Sequence, residues 1–275
     1  MAFGDMTRIN SNILMLTAYN RFQQTNTEMS MRQLRLSTGK RINTAEDDSA
    51  GFSIASSMRA KIRGQIQAQS NIGDAKSMLN VAEGSLGSIM EILQTMKEKT
   101  VQAASDSMGA TERTALDTQI TSLSAEITDM LGDSKFNSTS LFTSSTFNFQ
   151  VGASASNTFG VTVGTMSVAQ LGVQSGAIDV SSASAATALM AIIDAAITTI
   201  SNKVGSVGDS QKRLTFKQDA IGTAIINNEA ARSRIEDTDF AQEQMKIVKL
   251  QILQQTGIAA MVQANSSASA VLGLL

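Results

Sequence analysis

Residues 68–96, AQSNIGDAKSMLNVAEGSLGSIMEILQTM, set apolar side chains at Ala68, Ile72, Ala75, Leu79, Ala82, Leu86, Ile89, Leu93 and Met96, in alternating steps of four and three without a miss. A 3.5-residue repeat keeps one seam of an α-helix turned toward a partner, so the stretch predicts a coiled-coil helix. Nothing stops that helix in either direction, because proline, which removes a backbone donor and clashes inside helices, is absent from the chain. The pattern extends from about Thr44 to Ser105, roughly 90 Å at 1.5 Å per residue. Asn43 is placed to cap its start, with Glu46 three residues on. After a break at Ser107-Met108-Gly109, the same spacing returns at Leu116, Ile120, Leu123, Ile127 and Met130. A shorter helix over Thr111–Leu131, folded back as a helical hairpin, is expected.

The second half answers the first. Ile193, Ile200, Val207, Leu214 and Ile221 fall seven apart, with Leu189 and Ala196 between, predicting one helix from about Ala183 to Ser233. Between the halves, Phe147–Val151 and Phe159–Val163 alternate apolar and polar residues around a small-residue turn and should pair as a β-hairpin. The Ser/Thr-rich flanks at 138–146 and 175–186 read as loops or turns. At the ends, Met15, Phe22, Met29 and Leu36 are spaced by seven, and Met245, Val248, Ile252, Gln255, Ala259 and Val262 step by threes and fours. Both are amphipathic helices padded with Asn, Gln, Ser, Thr and Ala rather than Lys and Glu. An uncharged outer face is suited to burial against other subunits. The fold class is therefore mainly α: a long coiled-coil bundle with a small β-hairpin and paired N- and C-terminal helices.

Composition narrows the function. The 275 residues contain no cysteine and no histidine, which removes thiolate and imidazole metal sites, cysteine nucleophiles and histidine-based triads. A formal charge of -2 and 17% charged residues give no electrostatic reason for nucleic acid or an anionic membrane as partner. The longest apolar segment, Ala188–Ile200, is interrupted by Asp194 and Thr198 and falls short of the ~20 residues of a bilayer span. No membrane insertion, cofactor or metal is expected. The cluster Glu46-Asp47-Asp48 sits where acidic residues favour a helix start, and the 15 methionines lie on seams among Leu and Ile, as core filler. The first residues carry no basic stretch followed by an apolar one, so export would use a route other than a cleaved signal.

Two charged linkers, Ser37–Asn43 and Ala231–Asp239, join ends to middle. Arg41, Arg232 and Arg234 are placed to pair with Glu46, Asp47, Asp48 or Glu236 and so fix the angle of the terminal helices, with Asp237 beside them. The alternative is separate solvated charges worth less than about 1 kcal/mol per pair.

At these linkers the chain resembles bacterial flagellin. The run Leu34-Arg35-Leu36-Ser37-Thr38-Gly39-Lys40-Arg41-Ile42-Asn43-Thr44-Ala45-Glu46-Asp47-Asp48-Ser49-Ala50-Gly51 is similar to that family's N-terminal signature. Ala231–Ala241 followed by Gln251–Gly257 is similar to its C-terminal one. The resemblance implies a non-enzymatic subunit that self-assembles into the flagellar filament for motility, with terminal helices that fold on polymerisation and line the channel. It also implies secretion through the flagellar apparatus with an export chaperone, hook-associated and cap proteins as partners, and an extracellular or periplasmic filament. On this reading residues 1–36 and 236–275 are the two halves of the inner core. Residues 37–235 are the outer-core bundle, with the hairpin at about 138–182 and no additional outer domain. The self-assembly contacts are assigned to Ile9, Ile13, Met15, Leu16, Phe22, Met29, Ile247, Leu250, Leu253, Ile258, Met261, Leu272 and Leu275. A hook–filament junction protein, which shares the terminal helices, is the alternative.

Some family properties carry over in part. In the surface sensed by the innate Toll-like receptor, Gln94, Gln102 and Glu126 match, but Thr95 replaces an arginine and Lys99 a leucine, so weak or absent recognition is expected. Asn137-Ser138-Thr139 fits the N-glycosylation pattern in an accessible loop, and O-linked glycans at 138–146 are compatible with the family.

Overall fold

The computed structural model describes residues 12–143 and 146–272, with side chains through Ser266 in the last helix. In chain order the elements are α1 (Ile13–Thr38), α2 (Ser49–Ala103), α3 (Ala110–Asp133), β1 (Lys135–Phe136), β2 (Thr139–Ser140), β3 (Phe147–Gln150), β4 (Thr158–Val161), α4 (Val168–Leu171), a 3-10 turn at Ser175–Ala177, α5 (Ala183–Glu236) and α6 (Phe240–Leu272). The described residues fall into two compact units: one of residues up to Ala60 together with those from Asn227 onward, the other Lys61–Ile226.

In the Lys61–Ile226 unit the seam that begins at Ala68 is buried over its whole length through Met96, as are Leu116, Ile120 and Ile127 of α3 and Leu189, Ile193, Ala196, Ile200, Val207 and Leu214 of α5. The α2 and α5 helices run antiparallel, since Lys76 Nζ donates to Thr215 Oγ1 (3.2 Å), Gln211 Nε2 to Glu83 (2.8 Å) and Lys97 Nζ to Asp194 (2.6 Å). Each successive pair moves up one helix and down the other. An 18-residue window of α5 has a mean hydropathy of 1.7, long and apolar enough by composition to cross a membrane, contrary to the length argument from sequence. Only 28% of that window is buried, about the two positions in seven that a coiled-coil seam covers. Its apolarity comes from the seam, from Ile192 and Ile197 packed beside it, and from a coat of alanines.

The expected hairpin forms: β3 and β4 pair antiparallel in the register Phe147↔Val161, Asn148↔Gly160, Phe149↔Phe159 and Gln150↔Thr158. The alternation buries Phe159 and Val161 against the bundle, and the Arg213 guanidinium lies 4.7 Å over the Phe159 ring. In the flank expected as loop or turn, Ser138 does lie in a turn, but Thr139–Ser140 form strand β2. Asn137 and Ser138 both adopt positive φ (47° and 65°), and this tight turn joins β1 to β2 as a second hairpin. Asn tolerates that conformation through its short polar side chain. Ser124, buried on α3, donates to the buried Val173 carbonyl at 2.5 Å and ties the chain after α4 to the bundle.

The start of α2 also differs from expectation. It begins at Ser49, not Thr44, because Asp48 and not Asn43 is the cap: Asp48 Oδ1 accepts the Gly51 N–H at 2.9 Å. Asn43 instead donates its amide to the Lys40 carbonyl (3.1 Å), and Glu46 is exposed. A Cβ on Gly51 would run into the Asp48 carboxylate and meet Ile42 Cδ1 at 2.7 Å, so a larger residue there would displace the capping carboxylate and the Ile42 side chain of the folded-back linker.

Candidate functional site

In the unit that holds both ends of the described chain, α1 and α6 pair antiparallel. Asn12 Nδ2 donates to the Ala264 carbonyl (2.9 Å), Gln254 Nε2 to Asn26 Oδ1 (2.8 Å), and Arg32 Nη1 to both oxygens of Glu243 (3.0 and 3.2 Å). The inward seam of α6 is Glu243, Ile247, Leu250, Gln254, Gly257, Met261 and Ala264, in steps of four and three, each buried or half-buried. It meets Ala18, Phe22, Thr25, Met29, Arg32 and Leu36 of α1, all half-buried in the same stepping. Phe22, Met29 and Leu36 lie where their spacing of seven placed them, whereas Met15 is exposed although in register with them.

The C-terminal seam read from sequence is a different one. Met245, Val248, Ile252 and Val262 are exposed, with Gln255 and Ala259 between them, so this stripe faces away from α1. At ~100° per residue the two stripes lie about 150° apart around the helix. Thus α6 carries two 3.5-residue seams, one filled by α1 and one bare. On α1 the bare residues are Ile13, Leu14, Leu16, Tyr19, Met31 and Leu34. Of the assigned assembly residues, Phe22, Met29, Ile247, Leu250 and Met261 serve the pairing within the chain, while Ile13, Met15, Leu16, Leu253 and Ile258 are exposed. Ile9 and Leu275 lie outside the described residues, as does the side chain of Leu272.

The linkers close through a buried carboxylate. Glu236 ends α5 and is 3% exposed; its Oε1 takes Lys40 Nζ and Arg59 Nη2, each at 2.6 Å, while Arg232 Nε stands 3.7 Å from Oε2. Burial pushes this carboxyl up, but the Lys40 and Arg59 hydrogen bonds and charges outweigh it and hold it below its ordinary range. The Glu236 carbonyl also accepts from the Arg41 N–H (2.7 Å), Lys40 bridges antiparallel to Asp237, and Thr238 N–H donates to the Gly39 carbonyl (3.0 Å). The two linkers are thus stitched together backbone to backbone.

The arginine pairings expected from sequence are redistributed. Arg41 Nη2 donates to the Ile235 carbonyl (2.9 Å) rather than to a carboxylate, Arg232 pairs with Glu229 as well as approaching Glu236, and Arg234 is exposed. Asp47 is taken by Arg35 (3.0 Å) and by the backbone N–H groups of Asn43 and Thr44 (3.0 and 3.1 Å). Those two backbone bonds, helped by Arg35 against burial, hold its carboxyl at about 2. Sequence reading missed Arg35, Lys40, Arg59 and the buried Glu243. Their partners lie up to 211 positions away, a distance no local pattern reports. The α6 cap, Asp239, accepts from Ala241 and Gln242 N–H (2.9 and 3.2 Å).

The receptor-like residues lie on α2 and α3. Gln94 lines a shallow groove with Lys97, Glu98 and Val101, whereas Glu126 lines another with Val81, Ser85 and Asp129. Thr95 spends its hydroxyl on the Glu91 carbonyl of its own helix (3.0 Å); Lys99 is half-buried and Gln102 exposed. Asn137, Ser138 and Thr139 are exposed at the tip of the small hairpin.

Long heptad helices whose paired ends leave an apolar stripe exposed define a helical-bundle protein with a surface suited to packing on others. Comparison with known proteins specifies which. Residues 9–146 match the bacterial flagellin N-terminal helical region, and residues 190–275 match the bacterial flagellin C-terminal helical region. A flagellin of Halalkalibacterium halodurans is 33% identical over 88% of this chain and 89% of its own length. The flagellin FlaB1 of Treponema pallidum is 30% identical over 97% of this chain and 99% of its own. The crystal structure of Bacillus cereus flagellin overlays on 55% of this chain and 88% of its own, with 25% identity and a TM-score of 0.49. The chain belongs to the bacterial flagellin family.

Proposed function

We propose that this chain is a structural subunit of the bacterial flagellar filament, polymerising with copies of itself through its paired terminal helices. The observation that carries the reading is the second seam of α6: Met245, Val248, Ile252 and Val262 repeat with coiled-coil spacing and stay exposed while α1 packs on the other seam. An exposed heptad stripe is suited to a neighbour. A contact between that stripe and a different surface of the next copy does not close on itself, and repetition along a screw axis gives a helical tube.

The terminal helices complete their folding on assembly. The α1 helix has 26 residues and none of them is buried. Ordering a residue costs roughly 1–2 kcal/mol, and a half-buried seam against one partner offsets little of that. Neighbouring subunits supply the missing apolar contact, coupling folding to polymerisation. Residues 1–36 and 236–275 are on this reading the inner core that lines the channel, and 37–235 the outer core. The subunit passes unfolded through the flagellar secretion apparatus with its chaperone, assembles beneath the cap, and belongs to an extracellular filament. The arginine-to-Thr95 and leucine-to-Lys99 replacements leave it a weak ligand of the innate receptor. The junction-protein alternative draws no support from the relatives, which include a flagellar filament core protein of Treponema phagedenis, 31% identical over 97% of this chain.

Deleting residues 250–275 tests the reading. The truncated chain should remain a helical monomer and fail to extend filament seeds; growth at the parent rate would overturn the assignment.

A further inference from the structure

Methionine exposure is unevenly divided in this chain. Among the described residues the exposed methionines are Met15 (42%), Met31 (38%) and Met245 (66%), all on α1 and α6, whereas Met78, Met96 and Met166 of the other unit are buried and the rest half-buried. Met245 opens the bare α6 seam, and Met31 and Met15 lie beside the uncovered Leu34, Leu14 and Leu16. With neither cysteine nor histidine present, thioether sulfur is the softest nucleophile the molecule presents. From this we infer that Met15, Met31 and Met245 are peroxide-sensitive modification sites of the free subunit, and that their oxidation blocks polymerisation. The inference rests on the filament reading above.

The chemistry balances with a peroxide as co-reactant. A sulfur lone pair attacks one peroxide oxygen and the O–O bond breaks. The proton carried by the transferred oxygen passes to the departing hydroxide, giving one sulfoxide and one water. Sulfur loses two electrons and the peroxide is reduced. The product is a polar, chiral S=O where the surface was apolar, and reductases of the methionine sulfoxide class reverse it. A sulfoxide at a wet surface costs the subunit almost nothing. Enclosed among apolar neighbours it must surrender its water without gaining a partner, which penalises burial of the modified side chain. The modification therefore acts on assembly and not on the monomer's fold, and a subunit already enclosed in a filament is shielded from it.

The test treats purified subunit and preformed filament with hydrogen peroxide, maps sulfoxides by peptide mass spectrometry, and measures seeded growth. In the subunit, Met15, Met31 and Met245 should oxidise ahead of Met78, Met96 and Met166, and the critical concentration should rise at least tenfold. In the filament the same three should be protected. The variant Met15→Leu/Met31→Leu/Met245→Leu, compared with its own untreated critical concentration, should change less than twofold after the same treatment. Parent subunit carrying all three sulfoxides yet growing normally overturns the inference, and so does a leucine variant that remains peroxide-sensitive. Untreated parent that cannot extend its own seeds overturns the filament reading instead, and this inference with it.

Discussion

Replacing Ile252 by alanine separates the two seams of α6. Ile252 retains 58% of its surface exposed in the free chain. Burial of a whole isoleucine side chain is worth about 1.5–3 kcal/mol, so enclosing what remains contributes about 1–2 kcal/mol to each subunit that joins a filament. Because the critical concentration is the dissociation constant for adding one subunit, and about 1.4 kcal/mol is tenfold, Ile252→Ala should raise it about 5- to 30-fold. The monomer should change little: no side-chain hydrogen bond is lost, most of the side chain is already exposed, and alanine is the better helix former. The assay is sedimentation of seeded mixtures across a concentration series, with circular dichroism of the unassembled subunit as the fold control. Ile252→Leu keeps the apolar area and should fall within about twofold of the parent. A critical concentration for Ile252→Ala equal to the parent's would refute the argument that this stripe is enclosed by neighbours.

Four further substitutions probe the interior and the linkers. Gly51→Ala should destabilise by roughly 1–3 kcal/mol through overpacking against Ile42 and the Asp48 cap, seen as faster amide exchange over residues 42–55; Gly73→Ala, with open space at its Cβ, should instead stabilise by up to ~1 kcal/mol. Ser124→Ala strands the buried Val173 carbonyl, costing about 1–3 kcal/mol and lowering the Tm of the parent chain by ~3–10 °C; an unchanged Tm would show that carbonyl finding another donor. The Asp47 carboxyl lies at about 2 when folded against 3.8 as its ordinary value, so its contribution is complete above that ordinary value and lost as pH falls through the folded one. Glu236, also lowered, acts with the same sign. Asp47→Asn should therefore flatten the loss of helicity between pH 4 and 2, at a cost on the order of 1 kcal/mol at neutral pH after solvent screening; a parent-like acid transition would count against it.

The bundle was legible because its information is periodic. Nine consecutive seam positions in α2 carry one message, and all are buried as read. The capping residue was not legible for the opposite reason. Asn43 and Asp48 are both good caps, and the choice between them is made by the linker at residues 236–238, whose backbone bonds hold Lys40 and Arg41 and leave the first free N–H groups of the helix beside Asp48. The small hairpin hid in its turn residues: the favoured pair has glycine second, and here Ser138 takes the left-handed conformation instead.

The seam of α6 is the harder one to place from sequence, because the stripe with the stronger apolar spacing, Met245, Val248, Ile252, Gln255, Ala259 and Val262, is the exposed one and the internal stripe is the less hydrophobic. The internal stripe holds Glu243, Gln254 and Gly257, which read as interruptions. In the fold each is an answer: Glu243 to Arg32, Gln254 to Asn26, and Gly257 to Phe22, toward which a Cβ would stand 3.7 Å off. Polar pairs of this kind fix register at some expense in stability, which suits a pairing that must be specific yet not self-sufficient. The apolar stripe has the reverse character, with no register-setting group except Gln255, and its value depends on how completely it is covered. A helix that sets register-fixing polar residues into its internal seam and leaves a purer apolar stripe exposed is poorly made for a monomer and well made for a polymer. The prediction for Ile252 therefore weighs more than one side chain: it asks whether that inversion belongs to the assembled state.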